Sequence, residues 1–133
     1  MTFDEDLLID KAILAMNNSY SPYSHFKVGS AILLKNGEYL LGCNIENKSY
    51  SMTICAERCA LSKLISEGYN KNDVVAMSVV AETKDPVTPC GACREVMMEL
   101  LNPDTCIILA NTNRDKMTIS VKDLLPLSFK LEN

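Results

Sequence analysis

An α/β fold is predicted, with one mixed sheet and helices packed on its faces, and three observations predict it. Segments of helical period alternate with short apolar runs. Two of those runs, 74–81 and 105–110, are continuous enough to be strands buried on both faces. An Asn-Gly turn at 36–37 joins two others into a hairpin. The 133 residues suit a single domain, 1–133, long enough to bury one substantial core.

Each element has its own signal. Residues 4–19 place Leu8, Ala12, Ala15 and Met16 on one helical face, with acidic residues in the first turn. Ser21-Pro22-Tyr23-Ser24 ends that helix and reads as a loop. Residues 28–34 and 39–43 are β-like and flank the turn Lys35-Asn36-Gly37-Glu38. A polar loop, 44–53, leads to a helical pattern over 55–67, which Gly68 closes. The strand at 74–81 follows, then a loop over 82–89. A helix is predicted over 91–101 with Val96, Met97, Leu100 and Leu101 facing inward. After the strand at 105–110 come a short strand at 117–121 and a turn at Asp123-Leu124-Leu125-Pro126. The order is α-β-β-α-β-α-β-β, without repeats, linkers or low-complexity segments.

Composition narrows the function classes. Thirteen basic against 17 acidic side chains give a net charge of −4, which counts against a broad phosphate-backbone footprint. It does not count against a small nucleic-acid building block lacking phosphate. No apolar run reaches the roughly 18 residues of a membrane span. The start, MTFDEDLLIDKAIL, is acidic where a signal peptide is basic, so a cytoplasmic protein is expected. In a reducing compartment, six cysteines point to metal binding or catalysis ahead of disulfides.

Cys90-Gly-Ala-Cys93 has the spacing that lets two thiolates reach one metal, and Pro89 disfavours helix at Thr88. Both cysteines fall at a predicted helix N-terminus, as does Cys55. There, free N–H groups and the positive dipole end favour thiolate over thiol. Taken alone, Cys-x-x-Cys fits a redox pair or half of a zinc ribbon. A ribbon needs a second pair or paired histidines, and His25 is the only histidine. A thioredoxin-type pair has no need of Cys55 or its acid. With Cys55-Ala-Glu57 added, three sulfurs leave a fourth tetrahedral position open, as in catalytic zinc.

Glu57 stands two residues from one ligand. An early-helix glutamate is ordinarily a dipole or capping partner. Beside an open zinc site it can move a proton from water to substrate. Three thiolates on Zn²⁺ leave a net charge of −1, which weakens its hold on an ionised water unless cations draw charge from sulfur. Arg58, and less directly Arg94, are the candidates for that compensation.

The blocks C-A-E-R at 55–58 and P-C-G-A-C-R at 89–94 closely resemble the small, homotetrameric zinc cytidine deaminases. Y-S-P-Y-S-H-F-K-V-G (20–29), C-N-I-E-N (43–47), S-E-G-Y (66–69) and L-L-P-L-S-F (124–129) are similar to further blocks of that family, in its order. The resemblance implies a three-layer α-β-α fold around a mixed five-stranded sheet. It implies one zinc per subunit on Cys55, Cys90 and Cys93. Zinc hydroxide would attack C4 of free cytidine or 2′-deoxycytidine, while Glu57 carries protons to N3 and to the departing ammonia. Asn44 and Glu46 match residues that bind the ribose, Phe26 a ring packed near the pyrimidine, and the Ala56 N–H a donor to the base carbonyl. Tyr50 and Phe129 match residues that complete a neighbouring subunit's pocket. Pyrimidine salvage is the setting this implies.

Three positions depart from the family pattern. Glu95 replaces a common glutamine, Cys59 a common threonine, and Lys48 a small residue. None removes a ligand or the acid. Cys59 and Cys43 are expected as small buried hydrophobes. Two other readings use the same residues. The fold could act on a different aminated base, such as blasticidin S or a guanine-type base, which would leave the sugar-reading pair Asn44 and Glu46 without purpose. A zinc-stabilised binding protein would have no use for Glu57.

Overall fold

The computed structural model describes residues 2–131. Its helices are α1 (Glu5–Met16), α2 (Ala56–Ser66), α3 (Gly91–Leu100) and the short α4 (Val121–Leu124). Its strands are β1 (Val28–Leu34), β2 (Tyr39–Cys43), β3 (Val74–Ala81), β4 (Cys106–Asn111) and β5 (Lys116–Ser120), in the order β2-β1-β3-β4-β5. Only β3 and β4 run parallel; the other neighbours are antiparallel. Parallel neighbours need a long crossover, and α3 supplies it. The predicted mixed sheet with helices on both faces is therefore what forms.

Alternation along the central strands sends side chains to two separate cores. Ala31, Leu33, Ala76, Val80, Ile108 and Ala110 meet Leu8, Ile9 and Ala12 of α1 on one face. Ile32, Leu34, Met77, Val79, Ile107 and Leu109 meet α2, α3 and α4 on the other. Burying one such side chain is worth about 1.5–3 kcal/mol. The ion pairs Arg114–Asp10, Lys116–Glu5 and Lys122–Asp104 lie at the exposed surface, where a pair is worth about 0–1 kcal/mol, so the two cores hold the fold. Two serines buried in the sheet spend their hydroxyls on carbonyls: Ser30 Oγ donates to Ser78 O, and Ser78 Oγ to Leu8 O in α1.

Boundaries differ from expectation in two places. α1 stops at Met16, because Asn17, Asn18 and Ser19 turn back onto Leu14, Ala15 and Met16 carbonyls. Val121, expected as the end of a strand, opens α4 instead. Ser120 Oγ donates to Asp123 Oδ2, and the Val121 and Lys122 N–H groups bond Thr105 and Pro103 carbonyls, which bends the chain off the sheet. Elsewhere the ends agree to within a residue or two.

Glycine sets how closely the helices approach the sheet. A Cβ on Gly29 would lie 1.9 Å from the Ala12 carbonyl oxygen of α1. A Cβ on Gly42 would lie 2.5 Å from Ala60 N and 2.6 Å from Ala56 O of α2. The obstacles are backbone, which cannot rotate away. Gly42 in β2 thus seats the N-terminal half of α2, and Lys63 of that helix donates to Leu41 O on the same outer strand. Gly42→Ala should destabilise the protein by about 1–3 kcal/mol through overpacking. A urea midpoint unchanged from wild type would show that α2 can shift freely.

Candidate active site

The chain reaches the site through a stitched loop. Ile45 pairs with Tyr20 on one side and with Ile54 on the other, and the Ile45 and Ile54 N–H groups bond each other's carbonyls at 2.9 Å. This delivers Cys55 as the N-cap of α2, one residue ahead of the seat under Gly42. Cys90 is the N-cap of α3, with Cys93 in its first turn. Neither N-cap sulfur accepts a capping bond from the backbone N–H groups of the turn that follows it.

Those sulfurs converge. Sγ of Cys55 and Cys90 are 3.9 Å apart, Cys90 and Cys93 are 3.5 Å apart, and all three lie within 4.8 Å of one another. Tetrahedral zinc with bonds of about 2.3 Å needs sulfurs about 3.8 Å apart, so both spacing and donor type fit that ion. Cys93 is buried, Cys55 half-buried and Cys90 exposed, leaving the centre open toward solvent on one side.

Charge is unevenly shared among these groups. A hydrogen bond from Cys93 holds the Cys55 thiol well below the ordinary range, with Arg58 adding to the effect. The same bond, with burial, pushes Cys93 up. Binding a metal therefore expels protons from the cluster. Arg58 Nη2 lies 3.5 Å from Cys55 Sγ and 3.4 Å from Thr53 O, and contact with Cys55 raises the guanidinium further. Its Nε is buried without a hydrogen-bond partner among the described residues.

Glu57 is 5% exposed, at the second position of α2. Burial pushes its carboxyl up from the usual range, and its own backbone N–H opposes that shift. Ala56, at the first position of the helix, is fully buried.

Arg94 turns elsewhere. Its Nε donates to Pro89 O and its Nη1 to Leu124 O, both at 2.9 Å, so it fastens the segment ahead of Cys90 to the end of α4. Of the two arginines considered as charge partners, only Arg58 has a hydrogen bond to one of the three sulfurs among the described residues.

A second group of predicted residues gathers beside a cavity of about 430 Å³ lined by Tyr23, Ser24, Glu46, Asn47, Tyr50 and Thr53. Glu46 Oε1 accepts the N–H groups of Tyr23 and Ser24, and Oε2 accepts the Ser24 hydroxyl. The Ser24 hydroxyl, followed by those N–H groups, holds the Glu46 carboxyl below its usual value. Asn44 is buried, with Oδ1 accepting from Val28 N and Ser19 Oγ and Nδ2 donating to Phe26 O. Phe26 itself is 43% exposed. Phe129 is not at this cavity; it lines another of about 250 Å³ with Lys71, Glu95, Met98 and Glu99. Cys43 and Cys59, expected as small buried hydrophobes, are only half-buried and line a cleft with Lys63.

Sequence reasoning passed over Ser19, Ser24 and Thr53. Ser24 sat in a stretch read as loop, and a single serine gives no sign of a partner 22 residues away. The chain should carry about one zinc per molecule by metal analysis, and a strong chelator should lower its thermal midpoint. Metal-free protein with the same midpoint as zinc-loaded protein would contradict this.

The family described as the cytidine and deoxycytidylate deaminase zinc-binding region matches residues 2–110. A cytidine deaminase from Halalkalibacterium halodurans is 52% identical over 130 residues, 98% of this chain and 97% of that one. One from Sporosarcina psychrophila is 44% identical, over 98% of this chain and 94% of its own. The crystal structure of cytidine deaminase from Burkholderia pseudomallei superposes with a TM-score of 0.93 at 43% identity, covering 96% of this chain and all of that one. The Mycobacterium tuberculosis enzyme gives 0.82 at 35% identity, over 98% of this chain and 100% of its own.

Proposed function

Because the chain belongs to the cytidine and deoxycytidylate deaminase zinc-binding family, we propose that it hydrolyses free cytidine and 2′-deoxycytidine to uridine and 2′-deoxyuridine, releasing ammonia. The observation that carries this reading is a buried carboxylate, Glu57, in the first turn of the helix that Cys55 caps, at the end where three sulfurs converge. Cys55, Cys90 and Cys93 would hold the zinc, which would supply a Lewis acid able to make water a nucleophile at neutral pH.

The remaining work falls to the protein. Glu57 takes a proton from the attacking water and gives it to N3 as C4 becomes tetrahedral. It then takes the second proton and passes it to the amino group, which leaves as ammonia. Arg58 withdraws charge from Cys55, and Arg94 acts on the ligand segment from further out, through Pro89. The Ala56 N–H holds the base carbonyl, and Phe26 packs against the pyrimidine.

Hydrogen-bond counting supports a sugar hydroxyl as the other anchor. Asn44 has both Oδ1 lone pairs engaged and one Nδ2 hydrogen engaged, which leaves one donor. Glu46 has Oε1 filled by two N–H groups and one acceptor site left on Oε2. One donor and one acceptor suit a single hydroxyl that accepts from Asn44 and donates to Glu46. The 3′-hydroxyl is common to both nucleosides, so neither is excluded.

Assembly belongs to the same proposal. Tyr50 and Phe129 are 79% and 77% exposed in the single chain, large apolar surfaces suited to burial against another copy. We take the active form to be a cytoplasmic homotetramer with sites shared between subunits, working in pyrimidine salvage.

Glu57→Gln should bind zinc and fold normally while losing activity by more than the 10²–10⁴-fold, roughly, of one general acid–base step, since the group acts twice. Near wild-type turnover in an ultraviolet assay would end this mechanism. Sedimentation should give about four chains per particle, and Phe129→Ala should lose activity while zinc content stays constant. A fully active monomer would refute shared sites.

A further inference from the structure

We propose that Ser24 is a positioning residue for substrate recognition, its hydroxyl locking the Glu46 carboxylate to the backbone that carries Phe26. This rests on the reading of Glu46 as the sugar-binding acceptor and goes beyond it by assigning what aims that acceptor.

The hydroxyl has one proton and two lone pairs. The proton goes to Glu46 Oε2, and the oxygen accepts the Phe26 N–H at 3.0 Å. One hydroxyl therefore ties together two groups that would touch opposite ends of a nucleoside, the acid at the sugar and the ring at the base. Glu46 Oε1 is already fixed by the N–H groups of Tyr23 and Ser24, which any residue at position 24 would retain. What the side chain adds is the rotation of the carboxylate. With Oε2 engaged by Ser24, a single lone pair remains, pointed in a single direction. Without the hydroxyl, Oε2 is free to take water in either site, and a substrate hydroxyl must compete for it.

The Phe26 N–H has no other partner among the described residues, so its loss also loosens the turn from Tyr23 to Phe26. His25 in that turn holds a left-handed φ of 59°, which leaves the turn little intrinsic preference for its shape. The lock is local: Tyr23 and Ser24 line the cavity with Glu46, and the sulfur triad lies outside its hydrogen bonds.

The test is steady-state kinetics of wild type, Ser24→Ala and Ser24→Thr on cytidine, 2′-deoxycytidine and 3′-deoxycytidine. Ser24→Ala should raise KM for the two substrates bearing a 3′-hydroxyl by roughly tenfold, the range of one lost hydrogen bond to a charged group, with kcat changed by less than about twofold. KM for 3′-deoxycytidine should rise by clearly less, because only the looser Phe26 turn affects it, and Ser24→Thr should restore most of the loss. Equal losses on all three substrates, or no loss on any, would overturn the role of Ser24. If wild type itself treats 3′-deoxycytidine and 2′-deoxycytidine alike, the sugar reading of Glu46 fails instead, whatever Ser24 does.

Discussion

Two helix N-termini aimed at one point are the constraint on which the site depends. α2 and α3 lie on the same face of the sheet, and each presents a cysteine as its N-cap. Uncapped N–H groups and aligned peptide dipoles make both ends electropositive, which is costly unless an anion sits there. Sulfurs that must be ionised to bind metal meet that need. The need runs both ways: the helix ends favour thiolates, and thiolate charge offsets the exposed dipole ends. Glu57 and Arg58 then follow Cys55 into the first turn of α2, and their places near the centre come from helix geometry.

The constraint holds only if α2 cannot slide. Its seat is backbone against backbone, with Gly42 of β2 under Ala56 and Ala60. α3 is held differently, by Met97 and Leu101 in the core and by Arg94 bridging Pro89 to Leu124. The three sulfurs thus join one helix fixed by close packing to another fixed partly by hydrogen bonds to carbonyls.

Much of this was legible in the sequence, because the signals were local or periodic. The unbroken apolar runs of β3 and β4 marked strands buried on both faces, and the cysteine spacing marked three sulfurs as a candidate metal site. Gly91 and Gly68 bracketed helices within a residue. What escaped were features that depend on long-range placement. Val121 joined a helical turn because Thr105 and Pro103 carbonyls happen to face it. The carbonyl partners of Arg94 could not be read from its place beside Cys93. Ser24 and Ser19 carry ordinary loop composition, and their value comes from Glu46 and Asn44, which are remote in the chain.

The two halves of the site differ in how much change they tolerate. Beneath α2, one added methyl at Gly42 meets main chain, so small steps in sequence are closed to that region. The cavity around Glu46 is built from loop residues and side-chain hydroxyls, which can be exchanged singly without moving a helix. Descent with modification would accordingly keep the sulfur half nearly frozen while the loop half varied. Relatives that accept altered nucleosides should carry their differences along the 20–26 and 44–53 loops, over a sulfur centre that barely moves.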